Sequence, residues 1–290
     1  MMNALLRRVK LNLNVLGLAL TNRWLHGDDF ARSYDRIAPH YERTWLTHLR
    51  GITDTLLSAV PDRRYGHILD LGCGTGYTTA RLASRFPASR ITAVDISEGM
   101  LGECRKRVDE PNVRCVREDM LAHAKNQESA STDLIVSAWA IGYSEPWRVV
   151  DHVSRLLRRG GVFAFVVNYL DTLKPVFDTL RFCMRRYPDR VAKVTLPRFP
   201  RNRKTVLRRL SRRRIGVLRD QEGCCLVREH ADKGERLLSW LLRTGVLAGF
   251  DQMMPLGTDP ELGAAFENHL IGNWRPLTHH YVMVVGEKVC

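Results

Sequence analysis

Between residues 67 and 168 the chain alternates short apolar runs with longer stretches in which apolar side chains recur every three or four positions. The short runs predict strands at 67–71, 90–94, 113–116, 133–137 and 162–167. The longer stretches predict helices at 78–85, 99–109 and 149–158, each ending in basic residues or a glycine, as helix C-termini prefer. Strand, helix, strand at this spacing implies a parallel sheet covered on both faces, with Gly160 and Gly161 turning the chain into the fifth strand. Beyond residue 168 the regularity breaks. A helical pattern covers 171–187, then Pro188, Pro197 and Pro200 punctuate a loop, and a further helix is expected over 235–244. Strand character resumes at 245–255 and again at 279–288. Residues 170–244 therefore read as an insertion, followed by two final strands.

The first twenty residues carry a different period. Leu5, Val9, Leu13, Leu16 and Leu20 fall on one helical stripe, Leu11, Val15 and Leu18 thicken the apolar side, and Arg7, Arg8 and Lys10 lie off the stripe. Asn12 and Asn14 interrupt the run, which is far short of the ~20 apolar residues needed to span a bilayer. The expected role is a helix whose stripe packs over the protein's own core, with peripheral membrane contact as the alternative.

Composition narrows the class. At 290 residues, with 44% hydrophobic and 26% charged content, the chain suffices for one well-buried α/β core and is too apolar to be disordered throughout. A formal net charge of +14, from 45 Lys+Arg against 31 Asp+Glu, points to an anionic partner without choosing among nucleic acid, phospholipid and a phosphorylated substrate. Seven cysteines include no C-x-x-C pair and no Cys/His set at zinc spacing, and their odd number suits no complete disulfide framework. A cytoplasmic, metal-free protein is expected.

Chemistry concentrates at residues 68–76, ILDLGCGTG. A glycine-rich turn between a first strand and a first helix lets a ligand rest against bare backbone at a helix N-terminus. Asp95 ends the second strand, where an acid can accept both ribose hydroxyls of a dinucleotide or of another adenosine. Two features separate these ligands. The glycines are spaced G-x-G-x-G and not G-x-G-x-x-G, and a further acid, Asp119, ends the third strand, where it could hold an adenine amine. Asp70 adds a negative charge where a cationic ligand group would lie.

Taken in order, ILDLGCGTG, ITAVDIS, VREDML, DLIVSAWAIGY and LLRRGGVFAFV resemble the motifs of class I S-adenosylmethionine-dependent methyltransferases over residues 67–168. HHYVMVVGEK resembles their last, antiparallel strand. The resemblance implies a Rossmann-like, doubly wound α/β fold with a seven-stranded sheet, parallel but for one strand, and an inserted, mainly helical lid. It implies domains at 1–60 (helices capping the pocket), 61–169 (cofactor-binding core), 170–244 (basic substrate lid) and 245–290 (final strands). Gly72, Cys73, Gly74 and Gly76 would line the methionyl and ribose part of S-adenosylmethionine, and Asp70 would orient its amino group. Asp95 would bind the ribose, Ile96 would flank the adenine with Asp119 and Met120 at its other edge, and Met100 belongs to the same set. Ser137, Ala138 and Trp139 would sit nearest the transferable methyl. Upstream, FARSYDRIAPHYERTWL is similar to the entry helix of the ubiquinone and menaquinone methyltransferases, which would bring Tyr34 to the methionyl end and Tyr41 to the acceptor pocket, along with Tyr143 and Trp139.

The expected activity is methyl transfer to a small, lipophilic or anionic metabolite. An RNA or protein methyltransferase and a cofactor-binding scaffold without transfer are the alternatives. The general-base candidates are His279, His280, His269 and His230, none of which has a motif around it. From Arg198 to Arg214 the chain holds nine basic residues, readable as a solvated face, an anion grip or a nucleic-acid patch, the last without aromatic interleaving.

Overall fold

The computed structural model describes residues 4–195, 198–230 and 236–289; Pro197, Glu235 and Cys290, drawn on above, lie outside them. Along the first half run α1 (Ala4–Leu20), α2 (Gly27–Tyr41), a π-helical turn (Glu42–Leu46), α3 (Thr47–Ser58), β1 (His67–Leu71), α4 (Tyr77–Arg85), β2 (Arg90–Asp95), α5 (Glu98–Arg107), β3 (Val113–Arg117), α6 (Met120–Asn126) and β4 (Thr132–Ala138). The second half holds α7 (Pro146–Leu156), β5 (Leu157–Asn168), α8 (Lys174–Arg186), α9 (Arg203–Arg212), β6 (Ile215–Arg228), α10 (Leu237–Arg243), α11 (Pro260–Gly272) and β7 (Leu277–Lys288). These divide between two compact units. One comprises Leu46–Thr172, Arg198–Cys225 and His280–Cys290; the other comprises Met1–Trp45, Leu173–Pro197 and Leu226–His279.

The first unit is built on a seven-stranded sheet in the order β3-β2-β1-β4-β5-β7-β6. β1 to β5 pair in parallel, and β7 runs antiparallel to β5 with Val162 opposite Glu287 and Asn168 opposite Tyr281. The central strands read as unbroken apolar runs because helices cover both faces, and Ile68, Leu69, Ile135, Phe163 and Phe165 are all buried. α3, α4 and α5 are neighbours in one layer; α6, α7 and α9 are neighbours in another. Local chemistry starts these helices. Ser97 caps α5 by accepting from the Met100 amide at 3.1 Å, Asp119 caps α6, and Pro146 opens α7 with no amide to satisfy.

Three expectations are corrected here. Residues 245–255 form two 3-10 turns (Gly245–Leu247 and Phe250–Gln252), and the remaining sheet strand is β6, inside the stretch read as a helical insertion. The 170–244 stretch is also not one body, since 198–225 belongs with the sheet and its flanks with the other unit. The basic run is largely α9, which buries Val206 and Leu210, pairs Arg203 with Asp220 and Arg213 with Asp151 (2.5 Å), and lays Arg209 over the Trp147 ring. Arg203, Arg209 and Arg213 are thus engaged by the fold, and most of the run stays on the exposed face.

The second unit is helical. Asp29 is buried in α2 and held by Lys193 at 2.5 Å and by Arg32, while Asp251 takes the Ser33 hydroxyl at 2.7 Å and the Arg36 guanidinium. Phe250 lies edge-on to Phe30 and to Phe177. α1 packs against α8 and a 3-10 turn at Pro188–Arg190, where Asn14 Nδ2 donates to the Pro188 carbonyl at 2.7 Å. Its stripe points the other way from expectation. Leu11, Val15 and Leu18 are the half-buried side, whereas Leu5, Leu6, Val9, Leu13, Leu16 and Leu20 are exposed. The reason is that α1 is apolar on two faces, and Asn14, which needs the Pro188 carbonyl, selects which one turns inward.

Candidate functional site

β1 delivers the chain into Gly72–Gly76, and β2 holds this loop down: the Gly72 and Cys73 amides donate to the Val94 carbonyl at 2.8 and 3.0 Å. All three glycines have positive φ, but they serve different ends. A Cβ on Gly72 would lie 2.2 Å from Ala140 Cβ, and one on Gly76 would lie 2.6 Å from Cys104 Sγ. These two let the loop close onto its own neighbours. A Cβ on Gly74 would meet no protein atom within 4 Å. Gly74 alone presents bare backbone to open space, as a ligand cradle requires.

Three carboxylates surround the loop. Asp95 Oδ2 accepts from the Gly74 amide at 2.8 Å and Oδ1 from the Ser97 amide at 2.9 Å, so the acid expected to meet a ribose also sets the loop it stands beside. Asp119 Oδ1 is engaged by the Leu121 and Ala122 amides, with Oδ2 directed elsewhere. Asp70 is wholly buried; Oδ2 accepts from the Thr79 hydroxyl at 2.7 Å, and Oδ1 has no hydrogen-bond partner. Burial pushes the Asp70 carboxyl up to about 7, with the Thr79 bond opposing the rise and Asp95 adding to it. A buried acceptor lacking its donor, next to an open cradle, fits an ammonium-bearing adenosyl ligand.

Other expected cofactor residues divide. Ile96 is half-buried beside Asp95, and Met120 reaches to within 3.2 Å of where a Gly72 Cβ would be. Met100, by contrast, is buried in the core under α5 and has little surface to offer a ligand. Ser137 is likewise committed: its hydroxyl donates to the Leu71 carbonyl at 2.7 Å, tying β4 to β1. Cys73 sits with Cys104 and Cys115 in a small thiol cluster under the loop. Its thiol is raised well above the ordinary range, by the Cys104 hydrogen bond and by burial, which makes it packing and not a nucleophile.

Past β4, Ala138 leads into Trp139, which adopts φ +65°, a left-handed conformation rarely held by a bulky side chain outside strained or functional positions. Its indole N–H donates to the Thr53 hydroxyl at 3.1 Å and its ring lies edge-on to Tyr281 at 5.4 Å. Tyr143 packs edge-on to Phe199. At the end of β5, Asn168 is buried with Oδ1 lacking a partner, and next to it the Tyr169 hydroxyl donates to Glu222 at 2.6 Å. Sequence reasoning missed Asn168, Tyr281 and Thr79. The signal for Asn168 was available, since it ends an apolar strand as Asp95 does.

The histidines do not converge. His280 pairs with Asp171 at 2.8 Å, His269 stacks on Phe182 and shares a hydrogen bond with Thr179, His230 is exposed beside Glu229, and His279 is buried on β7. Tyr34 and Tyr41 belong to the helical unit, edge-on to each other at 6.1 Å. That unit has its own cavity of about 790 Å³, where Arg36 and Arg190 are paired with Asp251 and Asp259. Among the described residues no group of His, Cys, Asp or Glu could hold a metal ion.

Comparison with known proteins agrees with this geometry. Residues 68–161 match the family described as a methyltransferase domain. The chain is 37% identical to a malonyl-[acyl-carrier protein] O-methyltransferase of Dechloromonas aromatica, over 46% of this chain and 48% of that protein. It is 36% identical to a trans-aconitate 2-methyltransferase of Paracidovorax citrulli, over 38% of this chain and 41% of that one. The chain thus spans about half the length of the curated relatives it matches. The crystal structure of the YcgJ protein from Bacillus subtilis shares the fold, with a TM-score of 0.53 at 16% identity, over 83% of this chain and 99% of that one. Within the sheet unit, residues 68–161 are therefore similar to a methyltransferase domain, and the fold is that of the YcgJ protein.

Proposed function

We propose that the chain is an S-adenosylmethionine-dependent methyltransferase whose acceptor is a small metabolite bearing a carboxylate. The observation that carries the cofactor reading is Gly74, open to solvent beside the partnerless Asp70 Oδ1. When bound, the sulfonium supplies an electrophilic methyl group. The chain supplies binding and orientation, which contribute on the order of 7–11 kcal/mol in well-aligned reactions. Asp70, charged, takes the methionyl ammonium on Oδ1. Asp95 accepts the ribose hydroxyls while keeping the Gly74 amide in place, Ile96 and Met120 flank the adenine, and Asp119 Oδ2 takes its amine. Trp139 and Tyr281 exclude water beyond β4, and the Asn168 amide offers a polar contact to the acceptor.

Three facts support a carboxylate acceptor. The names of the two relatives give acceptors that carry a carboxylate, a malonyl group on an acyl-carrier protein and trans-aconitate. The chain carries a net charge of +14, which favours anionic substrates. A carboxylate is already ionised at neutral pH and needs no general base, in keeping with histidines that are dispersed. A lipophilic body on that acid would suit the aromatic wall of Trp139 and Tyr281.

Calorimetry tests the cofactor assignment. Asp95→Ala is expected to weaken S-adenosylmethionine binding on the order of a hundredfold, through the loss of two charge-assisted hydrogen bonds. Unchanged affinity, or uptake of a nicotinamide dinucleotide in its place, overturns the reading. Incubation with labelled cofactor and cell extract tests the acceptor: label should enter base-labile methyl esters of small acids, and label in RNA alone would reverse it.

A further inference from the structure

α1 is amphipathic twice over, and only one of its apolar faces is used inside the molecule. At 100° per residue Leu16, Val9, Leu20, Leu13 and Leu6 follow one another around about a quarter of the helix surface. Leu13, Leu16 and Leu20 are 64%, 55% and 78% exposed, against the usual burial of large aliphatic side chains. Five large aliphatic residues on one face of a seventeen-residue helix form a contiguous patch of the kind that marks an interaction surface.

We propose that this outward face of α1 lies in the interface of an anionic phospholipid bilayer and anchors the helical unit there. The composition of the stripe selects this occupant. It is purely aliphatic, whereas the centres of protein interfaces draw on Trp, Tyr, Met and Arg, and leucine is under-represented among their energetic anchors. Its borders are basic: Arg8 is on one side and Lys10 on the other, both exposed, and α1 holds no acidic residue, while Arg7 lies half-buried on the inward side. Lys10 lies 2.6 Å from Asp189 at the surface, a contact that leaves its charge close to the stripe. Aliphatic residues on one face with basic residues at its edges describe a helix lying in the headgroup plane. No helix among the described residues is long and apolar enough to cross a membrane, so contact would be from one side. The overall charge of +14 acts in the same direction.

The inference stands apart from the methyltransferase reading and fails separately from it, because the test involves no cofactor. Full-length protein is sedimented with sucrose-loaded vesicles of phosphatidylcholine alone or of phosphatidylcholine mixed with phosphatidylglycerol. Binding to the mixed vesicles is expected, and markedly less to phosphatidylcholine alone. The double variant Leu13→Glu/Leu16→Glu should partition about a hundredfold less, each leucine contributing a factor of about ten. Arg8→Glu should lower partition about fivefold or more. All three positions are exposed, and an unchanged melting temperature establishes that the variants are folded. Wild-type protein that stays in the supernatant, or a double variant that binds as well as wild type, overturns the proposal. So does a wild-type dimer in analytical ultracentrifugation that the double variant converts to monomer, since a second copy would then cover the stripe. Equal binding to both vesicle types overturns the anionic assignment.

Discussion

The glycine-loop edge of the sheet and helix α1 both announce themselves as apolar patterns, yet they differ in how firmly the pattern decides placement. β1 lies between helix layers, and its apolar residues Ile68, Leu69 and Leu71 have one solution: all three go inside. α1 offers two apolar faces, the broader one of them turned outward, and periodicity reports that both exist without saying which one the molecule keeps. Placement there falls to a single polar side chain, Asn14, and its carbonyl partner at Pro188. Hydrophobic pattern specifies structure where burial has one answer; where it has two, hydrogen bonding decides.

The widest contrast to expect is at Gly76. Gly76→Val drives a Cβ into Cys104 at a left-handed backbone position and should destabilise the sheet unit by about 3 kcal/mol or more, measured by urea denaturation. Gly74→Ala meets open space, so it should cost only the backbone strain, about 1–3 kcal/mol, while abolishing cofactor binding. If the two variants behave alike, the distinction between packed and ligand-facing glycines is lost.

Asp70 gives an intermediate effect with a defined pH window. Its folded-state carboxyl titrates at about 7 against an ordinary 3.8, because of burial, so the folded chain holds a proton that the unfolded chain releases. Stability from this group is full below the ordinary value and declines as pH rises towards 7. Asp70→Asn should flatten that decline in thermal melts of ligand-free protein. By the same linkage, wild-type affinity for S-adenosylmethionine should increase as pH rises towards about 7 and level off above it, and the variant should lack that rise.

The smallest effects separate the two faces of α1. Leu16→Glu should alter stability by less than about 0.5 kcal/mol, as exposed substitutions do, whereas Leu18→Glu on the inward side should cost about 1–2 kcal/mol. Equal costs would mean that the helix has no preferred face.

Much of the sheet was legible because parallel strands between helices carry a strong, repeated signature; β1 to β4 and β7 match their expected ranges closely, whereas β5 begins at Leu157, five residues early, and takes in Gly160 and Gly161, expected as the turn before it. β6 was not, since Arg219, Asp220, Gln221 and Glu222 interrupt it and half of its side chains are exposed, which resembles a loop in sequence. The apolar run at 245–255 fits strand and tight turn equally, and Gly249, at φ +81° against the Phe30 ring, settles it as turn. In the site, the positions of Asp70, Gly74 and Asp95 followed from motif order, but their division of labour did not. That Gly72 and Gly76 accommodate Ala140 and Cys104, or that Ser137 is tied to Leu71, depends on contacts between distant parts of the chain.

The antiparallel seam between β5 and β7 carries a consequence for biogenesis. Asn168 pairs with Tyr281, so on the order of a hundred residues must be synthesised after β5 before its outer rim finds a partner. During that interval a strand whose 162–167 part is wholly apolar offers unsatisfied amides and carbonyls to any neighbouring polypeptide. Nascent chains are therefore expected to depend on chaperone shielding until Leu277–Lys288 slots in and closes the seam.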